Sequence, residues 1–358
     1  MAKRATVYDV AQRAGVSIAT VSFTFSQPQR VKESTRQTVL AAAAALGYVP
    51  SGSARGLASG RTGAIGLYSY DYLLDGEVAG RGEPEDLVVG ADRSWFFPLY
   101  VDEVQNGVEL ECRARGYALL LSGERATPDT RPIPDVAGRV DALITFAGTV
   151  PDPALQRLSE RIPVLEFSHD VRVDRVHTVT ADNHDGMYRL TEHLIEEHGL
   201  RTLVFAGHLA AGEARARYEG HTAALADHGL TARPALPSRP GAAGSTVRAV
   251  RALLDAGPLP DALMCATDQE AVLALSILRS AGVAVPDDIA VTGFDGILAG
   301  RLSTPTLTTV RQPMEELGRT AVRTVIEALQ NWEAQPSTRP QRLRLPVELV
   351  RRASCGCP

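Results

Sequence analysis

Between Thr6 and Ser22 the apolar residues Val7, Val10, Ala11 and Ala14 fall at i, i+3, i+4 and i+7, the spacing of one helix face. Thr6 stands where a cap is needed, and Asp9 follows three residues on. Gly15 supplies a turn conformation that a β-carbon disfavours, and Ser17 caps a second helix whose Ala19, Thr20, Val21 and Ser22 are small enough to approach another surface. A loop marked by Pro28 leads to a third helix, Glu33–Leu46, with Val39, Leu40, Ala43 and Leu46 as its stripe and Gly47 as its stop. Two short helices joined by a glycine-containing turn form a helix-turn-helix, whose second helix enters the DNA major groove. An ordinary helical hairpin shares this local pattern.

From Ala64 the pattern changes to short apolar runs at 64–68, 117–121, 142–146, 164–167, 202–207, 262–266 and 289–294. Helical stretches lie between them at 101–115, 186–198, 217–228, 247–254 and 269–281. This alternation predicts an α/β class in which doubly wound parallel sheets carry helices on both faces. About two hundred and fifty residues of such units suit two sheets better than one, with a ligand beyond the carboxyl ends of the strands, in a cleft between two lobes. The stretch PSGSARGLASGRT at 50–62 reads as a linker with one large apolar residue, Leu57. Next to a DNA-binding module, small residues around one leucine suit a segment that folds on the minor groove and wedges that side chain between base pairs. Residues 69–95, rich in glycine and acids, interrupt the rhythm and read as a mobile loop at the cleft mouth or as disorder.

Charge sharpens the division. Residues 1–62 hold eight Lys and Arg against two acids, a charge of +6, so the remainder of this −5 chain carries −11. A basic head on an acidic body suits a polyanion-binding module joined to a domain that does not bind nucleic acid. No apolar segment follows the basic residues of MAKRATVYDV, and no run has the length of a membrane span, so a cytoplasmic setting without membrane contact is expected. Cys112, Cys265, Cys355 and Cys357 are too few and scattered for a disulfide framework. With no histidine near them in sequence, Cys355 and Cys357 read as exposed thiols, and neither a metal site nor a cofactor is expected.

Taken together, TVYDVAQRAGVSIATVS, RVKESTRQTVLAAAAALGYVP and SARGLASGRTGAIGL closely resemble the headpiece, hinge and first core strand of the lactose-repressor (LacI/GalR) family of bacterial transcription regulators. DNHDGM (182–187), GEARARYEGH (212–221), ATDQEAVLAL (266–275), VPDDIAVTGFDG (285–296) and STPTLTTVRQP (303–313) extend the likeness over nearly the whole chain, apart from 69–95. The resemblance implies a headpiece at 1–49, a hinge at 50–62, and a core at 63–358 like a periplasmic sugar-binding protein. Within that core, lobe 1 spans about 63–179 and 311–340, and lobe 2 about 180–310 and 341–358. Three connections would cross between the lobes, and LRLPVEL would be the final strand. It implies a homodimeric regulator, most simply a repressor, of double-stranded operator DNA.

Residue roles follow from the same resemblance. Ile18, Ala19 and Phe23 match base-reading positions; Phe23 stands where many relatives carry arginine or another polar residue. Ile18 and Phe23 offer apolar contact, best suited to thymine methyls, so the operator should differ from the family's commonest half-site. Tyr8, Ser17, Thr20, Ser22 and Thr35 match phosphate-touching positions, with Arg30 and Lys32 adding charge. Leu57 matches the minor-groove leucine, with Ser51 and Ala54 beside it. In the core, Arg217 and Asp295 match residues that grip a sugar or related polar ligand, Thr267 faces the pocket, and Asp268 caps the next helix. Tyr100 stands near the family's pocket aromatic, with Trp95, Phe96 and Phe97 as rivals. Asp182 and Asn183 read as a turn and cap.

These readings imply a small polar effector, sugar-like or nucleoside-like, whose binding between the lobes alters the hinges and hence DNA affinity. A solute-binding protein of the same core fold is the alternative; the basic head argues against it. An enzyme is not expected, because GxxxxGK[ST], GxSxG and HExxH are all missing. The tail after Leu349 has no heptads, which favours a dimer over a tetramer.

Overall fold

The computed structural model describes residues 5–49, 60–70, 99–124, 132–167, 173–238, 243–332 and 339–358. Ser51, Ala54 and Leu57, the segment 71–98 and the rival aromatics Trp95, Phe96 and Phe97 lie outside them. Two compact units separate, Met1–Ala64 with Arg139–Asp141, and Ile65–Gly138 with Ala142–Pro358.

The first unit holds α1 (Val7–Ala14), α2 (Ile18–Ser26) and α3 (Glu33–Leu46). The Thr6 amide donates to Asp9 Oδ2 at 2.8 Å while the Asp9 amide donates back to Thr6 Oγ1, a reciprocal box that fixes the start of α1. Gly15 ends that helix at φ 63°. Val10 and Ala11 of α1, Val21 of α2, and Val39, Ala42 and Ala43 of α3 close one small core, with Val7, Ala14 and Leu46 against it. The face expected on α1 is the one observed. On α3 the stripe is rotated, for Leu40 is exposed and Ala42 takes the buried place, because three short helices meet closely only where small residues line the contact.

The second unit contains two sheets. The first has six strands in the order β10-β5-β4-β3-β1-β2, where β1 is Ala64–Tyr70, β2 Ala118–Glu124, β3 Ala142–Phe146, β4 Val164–Phe167, β5 His177–Ala181 and β10 Arg342–Leu345. The second has the order β11-β9-β8-β7-β6, with β6 Leu203–Ala206, β7 Ala262–Cys265, β8 Ala290–Asp295, β9 Thr308–Arg311 and β11 Glu348–Val350. Between the strands run α4 (Leu99–Ala114), α5 (Pro132–Ala137), α6 (Asp152–Ser159), α7 (Asn183–Glu196), α8 (Gly212–Asp227), α9 (Ala243–Asp255), α10 (Asp268–Ser280), α11 (Leu298–Leu302) and α12 (Met314–Asn331).

Both faces of each sheet are covered, which is why the strands read as continuous apolar runs. In β3, Ala142, Ile144 and Phe146 enter a core shared with α4 and α12, while Leu143 enters another with Leu155 of α6. In β7, Ala262 and Met264 face α7, and Leu263 and Cys265 face α10.

Three expectations are corrected here. The strands β5 and β9, HTVTA and TTVR, carry threonine and histidine where apolar runs were sought; their hydroxyls and ring bond inward, so burial needs no apolar pattern. The final segment is two strands. β10 pairs in parallel with β5 in the first sheet, and β11 pairs antiparallel with β9 in the second. Residues 342–345 therefore belong to the first lobe, and Pro346, which has no amide hydrogen for a ladder, lies between the two strands. Finally, Cys355 is buried and Cys357 half-buried, and the fold brings His193 and His198 against both.

Candidate nucleic-acid interface and effector site

Ser17 caps α2 by accepting the Thr20 amide at 3.1 Å, and its hydroxyl meets Thr20 Oγ1 at 2.9 Å. With Val21 and Thr24 buried, the opposite face of α2 presents Ile18, Ala19 and Ser22 to solvent. Ile18 is 42% exposed, and Tyr8 on α1 is 67% exposed. Large apolar side chains held outward on a helix that already has a core face form a surface for docking, since nothing in folding requires them there. Phe23 is half-buried, and the Arg30 guanidinium lies over its ring, 4.6 Å from the centroid. Arg30 also donates to Gln27 Oε1 at 2.9 Å, so its charge is held beside α2. Lys32 is exposed at the start of α3, and Thr35 is half-buried in its first turn. Thr62, the last residue of the expected hinge, and Gly63 after it donate three bonds of 2.6–2.9 Å to the Asp141 carboxylate. No local pattern points to that partner, which lies 79 positions from Thr62.

In the core, Asp295 ends β8, 4% exposed and with φ 135°, a backbone conformation that L-residues rarely adopt. Its carboxylate accepts from Gln312 Nε2 at 2.7 Å and faces Arg217 Nη1 at 3.5 Å. Arg217, buried on α8, donates through Nε to Asn183 Oδ1 at 2.8 Å and through Nη1 to the Ala266 carbonyl at 2.5 Å, and its guanidinium lies 3.8 Å from the Phe294 ring centroid. Burial pushes the Asp295 carboxyl up, against the pull of Arg217 and Gln312. The Tyr100 phenol on α4 is raised by burial and by the charges of Asp295 and Glu213, while Arg217 opposes them. Ile297, two residues beyond Asp295, packs into the same core as Tyr100. Tyr100 packs edge-on to Phe146, at the end of β3, and Phe146 packs on Phe167, at the end of β4, with centroids 5.0 Å apart. The carboxyl ends of strands from both sheets thus supply aromatic rings on one side and an ion pair on the other.

Two core assignments differ from expectation. Thr267 is itself the cap of α10, accepting the Glu270 amide at 3.2 Å and donating to Glu270 Oε2 at 2.9 Å. A β-hydroxyl in extended backbone reaches the third amide, which is why threonine takes that position. Asp268 is not the cap; its carboxylate spans to the Gly296 and Ile297 amides at 2.7 and 2.9 Å and to Thr309 Oγ1 at 2.5 Å, tying the segment after Asp295 to α10. Asp182 does cap α7, but Asn183, read only as part of a turn, orients Arg217. Only the tertiary meeting of α7 and α8 reveals it.

Known families match both parts of the chain. The model of bacterial regulatory proteins of the lacI family matches residues 6–51, and a periplasmic binding protein-like domain matches 191–355. The HTH-type transcriptional repressor PurR of Haemophilus influenzae (strain PittEE) is 30% identical over 365 residues, covering 98% of each chain. The chain belongs to the lacI family. It is a DNA-binding transcriptional repressor and not an enzyme. A second PurR, from Glaesserella parasuis, is 29% identical and again covers 98% of both chains. Among solved structures, the transcriptional regulator CelR–cellobiose complex aligns with a TM-score of 0.68 at 29% identity, covering 98% of this chain and all of that one. The lac repressor dimer bound to operator and the anti-inducer ONPF aligns with a TM-score of 0.75 at 24% identity over 99% of each chain, a likeness of fold. No helix among the described residues is long and apolar enough to cross a membrane.

Proposed function

We propose that this lacI-family repressor binds a palindromic operator as a homodimer and that a small polyhydroxylated effector, sugar-like in chemistry, controls its grip. The headpiece is 1–49, the hinge 50–62 and the effector core 63–358. On the DNA side, Ile18, Ala19 and Phe23 read bases, and Tyr8, Ser17, Thr20, Ser22, Thr35, Arg30 and Lys32 hold phosphates. Ser51, Ala54 and Leu57 of the hinge line the minor groove. The outward face of α2 supports this reading, with the qualification of function that Phe23 also steadies Arg30.

The effector reading rests on one observation: Asp295, paired with buried Arg217, stands two residues before Ile297, which packs in one core with Phe146, Phe167 and Tyr100. A fork of donors beside an acceptor-only carboxylate orders vicinal hydroxyls, and the rings of Tyr100, Phe146 and Phe167 suit the apolar face of a pyranose or furanose. Thr267, engaged as a cap, contributes to the ligand through its position more than its hydroxyl. The similar CelR protein in complex with cellobiose supports the same ligand class. Effector and operator bind one protein, so each changes the other's affinity by the same factor.

The test is a gel-shift titration on the DNA upstream of the gene, with mono- and disaccharides and nucleobases added singly. A palindromic site bound by the full chain, lost on removing residues 1–62 and modulated by one saccharide, is the expected result. Modulation by a nucleobase and by no saccharide overturns the sugar reading; absence of any bound site overturns the operator reading.

A further inference from the structure

His193 lies in the last turns of α7, and His198 follows five residues later, just beyond the helix. At the far end of the chain, Cys355 closes a short 3-10 turn, Ala353–Cys355, and Gly356, at φ 99°, turns the backbone so that Cys357 comes back to the same place. The four side chains, separated by as many as 164 positions, converge. His193 Nε2 is 3.7 Å from Cys355 Sγ, 3.6 Å from Cys357 Sγ and 3.3 Å from His198 Nε2, and Cys357 Sγ is 3.4 Å from His198 Nε2. All four donor atoms lie within 4.8 Å of one another.

Hydrogen bonding alone does not account for that arrangement. A ring nitrogen either donates one proton or accepts along one lone pair, yet His193 Nε2 faces three neighbours at once. The cysteines are not joined in a disulfide. What does account for it is a common centre. An ion bound tetrahedrally at about 2.3 Å to sulfur and about 2.0 Å to nitrogen holds sulfur and nitrogen about 3.5 Å apart and its two nitrogens about 3.3 Å apart. The four edges given above, 3.3–3.7 Å, lie close to those separations. The Thr308 hydroxyl lies 3.0 Å from Cys355 Sγ and 2.8 Å from the Arg352 carbonyl, so its one proton is shared between them. Ser354 pins the turn by donating to the Val291 carbonyl and accepting the Thr308 amide, so the cysteines are presented by backbone already fixed to β8 and β9.

We propose that His193, His198, Cys355 and Cys357 form a structural zinc site that fastens the C-terminal tail to α7. Two imidazoles and two thiolates at tetrahedral spacing select a borderline-soft divalent ion over magnesium or calcium, which require oxygen ligands. With four protein ligands the coordination is closed, so the ion cross-links and does not catalyse. The site lies in the second lobe, and none of its residues contributes to the effector cluster.

The experiment uses the full untagged chain, purified without chelator. Elemental analysis should find about one zinc per chain, falling to less than about a tenth in C355S/C357S. Replacing zinc by cobalt in the wild-type chain should give the intense visible bands and thiolate-to-metal charge transfer of tetrahedral sulfur-containing coordination. This second readout does not depend on how the variant folds. Chelation of the wild-type protein should lower its melting temperature, and the double variant should not respond. Zinc held equally by wild type and variant, a weak octahedral cobalt spectrum, or copper or iron in place of zinc would each overturn the assignment.

Discussion

Asp295 sits at the end of a buried strand at φ 135°, and Asp295→Asn keeps the size of the side chain while removing its charge. Its carboxylate faces Arg217 and Gln312. Losing a charged hydrogen-bonding partner is worth about 1.5–3 kcal/mol, so effector affinity should fall about ten- to a hundredfold while operator binding without effector is unchanged. Calorimetry with the identified effector measures the first and gel shift the second. On the DNA side, Lys32→Ala and Ile18→Asn separate two kinds of contact. The lysine variant should weaken all sequences alike and reduce the slope of log K against log salt by about 1.8, about 0.9 for the lysine of each protomer. The isoleucine variant should leave that slope intact and change the preferred base. Fluorescence anisotropy across a salt series and an operator library distinguishes them.

At the scale of elements, α4 and α12 approach most closely through two glycines. A β-carbon on Gly318 would run into the Val104 carbonyl and lie 2.6 Å from the Val108 amide nitrogen, and one on Gly107 would strike the Glu315 carbonyl. Backbone cannot step aside as a flexible side chain can. Gly318→Ala should therefore destabilise the core by about 1–3 kcal/mol or more, read as a lower urea midpoint at unchanged slope. Beside this contact, buried Glu111 of α4 meets Arg115 at 3.0 Å and Arg319 of α12 at 3.4 Å, a pairing that gives the close approach its register. Most elements could be read from period: the α1 face and the apolar runs of β3, β4, β6, β7 and β8 are where pattern puts them. The elements that escaped are polar strands, β5 and β9, where Thr308, Thr309 and His177 find partners distant in sequence. The split between β10 and β11 escaped for a related reason. Which sheet each short strand joins is a matter of pairing, not of its own composition.

For the molecule as a whole, the buried polar groups set a response to acid. His221, between α7 and α8, meets Thr191 Oγ1 at 3.2 Å and packs by Phe205 and Tyr218; burial lowers it from 6.5 to about 4. The unfolded chain therefore takes up this proton first as pH falls. The stabilisation from the neutral ring is complete above about 6.5 and is lost progressively toward pH 4, amounting to about 3 kcal/mol. His221→Leu should flatten that part of the pH dependence, whatever its effect on absolute stability, in urea unfolding at a series of pH values.

Local periodicity and charge by themselves determined that this chain begins with a cationic helix-turn-helix and continues as wound α/β units, because helix faces, caps and buried strands are written in neighbouring residues. The ordered motifs then carried the family. Tertiary structure alone decided that Asn183 holds Arg217, that Thr267 and not Asp268 is the cap of α10, that residues 342–345 return to the first sheet, and that two histidines meet two cysteines from the tail. Each of these depends on contacts between residues tens to more than a hundred positions apart or on competition between adjacent side chains for one partner, and no local period encodes either.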